Sequence, residues 1–254
     1  MKPRLSMALL TLVWLTVVLV VPFLGARILT PLELVHDEAL ATIFWTLRLP
    51  RTLLAVLAGG ALAMSGLGLQ TLFRNPLAEP YTLGIASGAA LGAVLALQAE
   101  TLGWPLGFPA VALAAFVGAL AVAAIILGLV TLLLFRWDLN LLLTGEELAV
   151  SRGVDLKKLR LGVLGVASAM VGALVAVAGP IGFVGLIVPH ILRRWMGPDH
   201  LFLIPACLLG GGAFLALCDL GARTILAPAE LPVGVLTALL GGPFFLWLLI
   251  AGRR

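Results

Sequence analysis

Charge is scarce in this sequence. Only 11% of its 254 residues are charged, whereas 62% are hydrophobic, and a soluble domain carries about 25% charged residues. So few charges could not cover the surface of a water-soluble fold of this length, which excludes a soluble globular protein. The apolar residues form continuous runs instead of alternating with polar ones, which argues against a membrane β-barrel. The sequence predicts an all-α, polytopic helical membrane protein.

Lysine, cysteine and catalytic motifs are also scarce. Lysine occurs only at positions 2, 157 and 158, and no glycine-rich phosphate-binding loop is present, so we do not expect the chain to hydrolyse ATP by itself. Motifs for a nucleophile or a bound metal are missing too, and we expect no enzyme activity, cofactor or metal site. Cys207 and Cys218 share one apolar run and would lie about 16 Å apart on a helix, too far for a disulfide bond. Without a basic patch interleaved with aromatic residues, nucleic acid is not expected as a partner.

Uncharged runs long enough to cross a bilayer occur along the whole chain, since about 20 apolar residues suffice. The run 161–192 is broken by Gly179-Pro180-Ile181-Gly182, because proline lacks a backbone donor and glycine admits unusual dihedral angles. We therefore predict eight membrane helices, one of them short. They lie at about 5–26, 52–73, 80–99, 109–135, 161–178, 183–195, 201–218 and 231–252.

Arginine and lysine residues orient these helices. If the N-terminus is inside, twelve of the sixteen basic residues fall on the inner face, as the positive-inside rule requires. Both termini and the loop 136–160 are then cytoplasmic. The four basic residues on the outer face are Arg27, Arg48, Arg51 and Arg223.

The long cytoplasmic loop carries a predicted short helix. Its TGEE sequence at 144–147 matches a capping box, in which the Thr144 hydroxyl accepts from the backbone N–H of Glu147 and the Glu147 carboxylate reaches back. Gly153 supplies a helix stop, so we predict a helix at about 145–152. Two interpretations stay open: a docking element for a cytoplasmic partner, or a solvated loop that orients the protein through its positive charge.

Asp219 and Arg223 lie four residues apart near the outer end of an apolar run and could pair on a helix. An ionisable residue at membrane depth is a candidate for function, and a structural ion pair is the alternative. We predict no second buried carboxylate beside Asp219, which disfavours proton-coupled transport. His190 and His200 lack the neighbours of a metal site and are interpreted as structural or interfacial residues.

Four motifs, in this order, resemble the permease subunits of iron-siderophore, haem and cobalamin ABC importers. They are LRLPRTLLAVLAGGALAMSGLGLQTLFRNPLAEPYTLGIASGAALGA at 47–93, LNLLLTGEELAVSRGV at 139–154, GPIGFVGLIVPHILRRWMGPDH at 179–200 and ELPVGVLTALLGGPFFLWLL at 230–249. The resemblance covers nearly the whole chain as one permease domain, 1–254. It implies a homodimer in the bacterial cytoplasmic membrane, two cytoplasmic ATPase subunits that drive transport, and an external substrate-binding protein that delivers the cargo.

The resemblance also implies site residues. Arg48, Arg51 and Arg223 would offer their guanidinium groups to carboxylates of the binding protein, and Asn75 and Leu77 match residues of the inner gate. The loop 136–160 would be the coupling element that docks in the ATPase. Its candidate coupling residues are Thr144, Gly145, Glu146, Glu147, Arg152 and Gly153.

The chain departs from the family in length. The resemblance implies ten spans, and the long run 109–135 resembles the start of the fourth family helix joined to the end of the sixth. About two spans are then absent, on the order of 50–80 residues. Three hypotheses follow: an importer permease, a non-transporting scaffold or degenerate paralogue, and a secondary transporter that works without an ATPase. The lack of paired buried carboxylates disfavours the third.

Overall fold

The computed structural model describes residues 3–80 and 110–251, and all regular elements in those ranges are helices, which confirms the all-α fold. The predicted span at 80–99 lies outside the described residues. Five of the described helical segments are long and apolar enough to cross a membrane, and a sixth results if the bent pair 119–134 and 136–142 counts as one span. The helices are α1 (Pro3–Val20), α2 (Pro31–His36), α3 (Glu38–Ile43), α4 (Leu49–Leu72), α5 (Ala110–Leu134), α6 (Arg136–Leu142), α7 (Glu146–Ser151), α8 (Leu156–Ala178), α9 (Val184–Met196), α10 (His200–Thr224) and α11 (Val233–Ala251).

Helix α4 lies at the centre of the described fold and packs against α8, α9 and α10. Two glycine contacts explain how closely it approaches them. A Cβ atom on Gly59 would overlap the carbonyl oxygen of Gly211 in α10, and one on Gly66 would overlap that of Gly185 in α9. Small residues let helix backbones meet in this way in a membrane. These contacts set α4 against the second half of the chain.

The helix through the LRLPR motif begins further upstream than predicted. Whereas the sequence suggests a span from residue 52, α3, a π-helical turn and α4 form one helical segment, Glu38–Leu72, of 35 residues. Pro50, the second residue of α4, lacks a backbone N–H group to donate to the preceding turn, and the irregular π-helical turn Phe44–Arg48 lies directly before it. Arg48 and Arg51 therefore lie on a helix, three residues apart and on the same face.

The predicted break after α8 is confirmed. Helix α8 ends at Ala178, and Gly179 adopts φ 74°, a conformation that favours glycine. Helix α9 begins at Val184, close to the predicted start of the short helix. The backbone N–H of Phe183, just before it, donates to Oε1 of Glu79. The RNPLAEP segment after α4 thus contacts the break in the second half.

Candidate functional site

The predicted capping box at 144–147 is wrong. The Thr144 hydroxyl donates to the carbonyl oxygen of Leu141 over 2.7 Å, so it closes the end of α6 instead of opening α7. Gly145 takes the N-cap position of α7 with φ 131°. The helix therefore starts one residue later than predicted, and Glu147 is its second residue. In a capping box the carboxylate that bonds back to the N-cap belongs to the third residue of the helix.

The predicted short helix itself is present at 146–151, close to the predicted 145–152. Gly153 follows it with φ 89° and ends it as predicted. Nη2 of Arg160, on α8, lies 2.8 Å from Oε1 of Glu146, so an ion pair holds α7 against α8. The side chains of Thr144, Glu147 and Arg152 are exposed and are accessible to a partner.

Helix α7 also exposes apolar surface beside these polar groups. Leu148 and Val150 are 43% and 53% exposed, whereas Ala149 between them is fully buried against the body of the protein. Helix α7 is therefore anchored on one face and exposes apolar side chains on the other.

Arg48, Arg51 and Arg223 border one region of the fold, and each already has partners within the chain. Nε of Arg51 lies 2.9 Å from Oδ1 of Asp219, and its Nη1 lies 2.7 Å from Oε2 of Glu230. Arg223 approaches the other carboxylate oxygen of Asp219 at 3.7 Å, so one carboxylate links both arginines. Both Asp219 and Arg223 are 7% exposed, so this ion pair is buried.

Arg48 has no carboxylate among its described partners and is held by backbone instead. Its Nη2 donates to the carbonyl oxygen of Arg27 over 2.9 Å, and its Nη1 to that of Phe23. A cavity of about 630 Å³ opens beside these groups. Its polar lining includes Arg48, Arg51, Arg223 and Glu230. The three predicted docking arginines therefore border one cavity.

The predicted gate residues lie in a tight turn directly after α4. Asn75 Oδ1 accepts a hydrogen bond from the Leu77 backbone N–H over 2.9 Å, an Asx turn. Arg74 before it adopts φ 49°, which lets the chain reverse at the end of α4. Leu77 is half-buried and lines a cavity of about 430 Å³ with Phe183. Asn75 and Leu77 thus meet in one turn that faces the start of α9.

Sequence reasoning missed two buried polar residues. Glu79, in RNPLAEP, is 6% exposed and caps the chain before α9; its only sequence signal is a carboxylate just before a long uncharged run. Gln70 donates from Nε2 to the carbonyl oxygen of Gly185 over 2.9 Å. Both residues tie the end of α4 to α9.

The two histidines are held by neighbouring side chains. The ring of His190 lies edge-on to Phe244 with centroids 5.6 Å apart. His200 is fully buried and hydrogen-bonded to Thr71 and Asn140. Within residues 3–80 and 110–251, His, Cys, Asp and Glu form no group of three that could hold a metal ion.

Comparison with known proteins places the chain in a family. The model of the FecCD transport family matches residues 7–131 and 119–251. The hemin transport system permease protein HmuU of Yersinia pestis is 35% identical over 326 aligned positions, which cover 100% of this chain and 97% of the relative. The vitamin B12 import system permease protein BtuC of Escherichia coli O9:H4 is 36% identical, over 83% of this chain and 84% of the relative.

A solved structure agrees with these relatives. The chain superposes with a TM-score of 0.81 and 28% identity on a metal-chelate type ABC transporter in an inward-facing conformation, over 98% of this chain and 99% of the other. The alignment with HmuU is longer than the 254 residues of this chain, and the two family matches overlap at 119–131. The family matches cover both halves of the chain, and the chain belongs to the FecCD transport family.

Proposed function

We propose that the chain is the transmembrane permease subunit of an ATP-driven importer that carries a metal chelate, such as haem or an iron-siderophore, or cobalamin across the bacterial cytoplasmic membrane. The observation that carries the proposal is the 35% identity to a hemin permease over the whole chain. In this proposal both termini are cytoplasmic, two copies form a dimer around the path, and residues 1–254 act as one permease domain.

Energy comes from separate ATPase subunits that dock at α7. Support comes from the exposed Thr144, Glu147 and Arg152 and from the exposed apolar residues Leu148 and Val150 on the same helix. Gly145 and Gly153 bound the helix with positive φ angles. The ion pair between Glu146 and Arg160 orients it relative to α8, so that a docked ATPase can displace a helix that spans the membrane.

At the other face, the proposal assigns Arg48, Arg51 and Arg223 to the recognition of acidic side chains on a binding protein. Guanidinium groups bind carboxylates bidentately, and the three arginines border one cavity. Because Arg223 is 7% exposed, its part is to hold Asp219 and Arg51 in place, and Arg48 and Arg51 make the direct contacts. Asn75 and Leu77 form the inner gate.

Reconstitution tests the transport function. The chain is placed in liposomes with candidate ATPase and binding-protein partners, and uptake of labelled haem, cobalamin and a ferric siderophore is measured with and without ATP. We expect ATP-dependent uptake of one of the three. Uptake without any ATPase would instead identify a secondary transporter.

A charge reversal tests the docking assignment. Glu147→Lys should weaken ATPase binding by about tenfold or more, because it reverses an exposed charge at the docking surface. Glu38→Lys makes the same change on the outer face and serves as the matched control. If neither Glu147→Lys nor the double variant with Glu146→Lys changed ATPase binding, α7 would not be the docking element.

A second function, a non-transporting membrane scaffold or degenerate paralogue, is favoured by one observation. The relative HmuU has residues with no counterpart in this chain, since the alignment exceeds 254 positions, and the overlap of the two family matches at 119–131 agrees with a junction there. This alternative predicts that the chain binds its ATPase but shows neither uptake nor substrate-dependent ATP hydrolysis.

A further inference from the structure

A hydrogen-bond network joins three helices at their cytoplasmic ends. Oγ1 of Thr71, in the last turn of α4, lies 2.9 Å from Nε2 of His200, the first residue of α10. Nδ1 of the same ring lies 2.6 Å from Oδ1 of Asn140, on α6. Thr71 is 1% exposed and His200 is fully buried. The ring therefore bridges α4 and α6 in a site closed to water.

The donors and acceptors of Asn140 and His200 fit one assignment. Asn140 Oδ1 accepts from the backbone N–H of His200 over 3.0 Å, and its Nδ2 donates to Asp199 over 3.0 Å. Because Oδ1 only accepts, Nδ1 of the ring carries the proton. Nε2 of the neutral ring is then an acceptor, and the Thr71 hydroxyl is its donor.

The Thr71 hydroxyl has two acceptors for one proton. It also lies 2.9 Å from the carbonyl oxygen of Leu67, one turn back in α4. The proton can satisfy the ring of His200 or the carbonyl group, but not both at once. The contact between α4 and α10 can thus form or break while the hydroxyl stays hydrogen-bonded, a property that a purely apolar contact at this position would lack.

The ends of the network lie beside the two cytoplasmic elements of the proposed function. Asn140 lies near the end of α6, and only residues 143–145 separate α6 from α7. Thr71 lies four residues before Asn75, whose backbone N–H donates to the Gln70 carbonyl oxygen over 3.0 Å. A short series of contacts therefore runs from α7 to the turn at 75–77.

We propose that Thr71, His200 and Asn140 are positioning residues that couple the displacement of α7 to the turn at Asn75 and Leu77. This inference rests on the proposed function, in which α7 binds the ATPase and the turn is the inner gate. When α7 moves, Asn140 moves the ring of His200, and the Thr71 hydroxyl exchanges between the ring and Leu67. The last turn of α4 then follows the ring.

Isosteric substitution separates coupling from folding. Thr71→Val removes the hydroxyl and keeps the shape, whereas Thr71→Ser keeps the hydroxyl. The matched control is Thr52→Val on the same helix, because Thr52 is equally buried and its hydroxyl also bonds to the carbonyl group four residues back. Each variant is reconstituted with ATPase and binding protein, and ATPase binding, ATP hydrolysis and uptake are measured.

We expect Thr71→Val to bind the ATPase normally and to lower the uptake per ATP hydrolysed by about fivefold or more, in the range of known coupling free energies. Thr71→Ser and Thr52→Val should keep the ratio of the unmodified chain. Asn140→Ala, at a half-buried position, should lower the uptake per ATP hydrolysed as Thr71→Val does. If Thr71→Val does not fold, Asn140→Ala alone tests the inference.

The experiment distinguishes a failure of this inference from a failure of the proposed function. Normal uptake per ATP in both Thr71→Val and Asn140→Ala overturns the network and leaves the proposed function intact. Failure of the unmodified chain to bind any ATPase overturns the proposed function and this inference with it. A loss of uptake accompanied by equal loss of ATPase binding would show that the residues only maintain the fold, which also overturns the inference.

Discussion

Arg51 donates a hydrogen bond to Asp219 over 2.9 Å, although 168 residues separate them in sequence. The same carboxylate faces Arg223, four residues on in α10. Since Asp219 is shared by a half-exposed arginine and a buried one, it neutralises charge where the start of α4 meets the end of α10 and joins the two helices. In this multi-pass permease of the cytoplasmic membrane, Arg51 is thus positioned by the second half of the chain.

Removing the shared carboxylate should destabilise the protein strongly. Asp219→Ala leaves the guanidinium group of Arg223 buried without its carboxylate, although its bond to the carbonyl oxygen of Val21 remains, and breaking a buried ion pair costs about 3–5 kcal/mol. Arg27→Gln, which breaks an exposed pair with Glu33, should cost less than about 1 kcal/mol. Thermal unfolding in detergent measures which of the two variants loses more stability. Equal melting temperatures for the two variants would show that the buried pair contributes nothing.

Gly59 should tolerate no side chain. Gly59→Ala would place a Cβ atom on the carbonyl oxygen of Gly211, and forcing α4 from α10 should cost at least about 2 kcal/mol, as overpacking does elsewhere. Gly172→Ala is the control, because its Cβ atom on α8 would meet no atom of residues 3–80 or 110–251 within 4 Å and alanine favours helix. The prediction would be wrong if both variants unfolded at the same temperature.

Releasing Arg51 from Glu230 should strengthen the binding of an acidic binding protein. In Glu230→Gln, Arg51 loses a competing carboxylate that is 56% exposed, and the affinity should rise by about two- to fivefold, the equivalent of an exposed ion pair. Glu38→Gln makes the same charge change on the same face and controls for long-range attraction. A binding titration in low salt measures both. If the affinity rose equally in the Glu38→Gln control, the release of Arg51 would contribute nothing to the binding.

The stability contributed by Asp199 should depend on pH. The hydrogen bond from Asn140, followed by that from the backbone of Leu201, lowers the pKa of Asp199 below its usual value. A carboxyl group with a lowered folded pKa stabilises the fold above its unfolded pKa of about 3.9, and this is lost as the pH falls through the folded pKa. Asp199→Asn should therefore lower the melting temperature at pH 7, and the difference should shrink below about pH 4. A difference independent of pH would contradict the assignment.

Much of the fold could be predicted because the membrane restricts the choices. A run of about 20 apolar residues must form a helix, since its backbone groups find no water to bond. The break at 179–182 and the stop at Gly153 were predictable for a similar reason, because local dihedral angles follow from glycine and proline. The start of α7 was not predictable in this way. The sequence suggests a capping box at 144–147, but Gly145 adopts a positive φ and moves the start of the helix by one residue.

The site was only partly visible from the residues. The sequence placed Arg48, Arg51 and Arg223 on one face and the gate and coupling residues on the other, since topology follows from charge counts. The sequence could not indicate that Glu230 and Asp219 hold Arg51, or that Glu79 reaches Phe183. Those contacts depend on which helices become neighbours.

The sequence by itself thus determined the membrane class, the helical class, the positions of most helices and, through four ordered motifs, the family. Local hydropathy and backbone preference suffice for these, because each concerns residues near one another in the chain. The tertiary structure alone decided that α4 is the central helix, that Arg223 is buried, and that Thr71, His200 and Asn140 meet. Such contacts arise from helix packing, where glycine positions on different helices set the distances between segments more than a hundred residues apart.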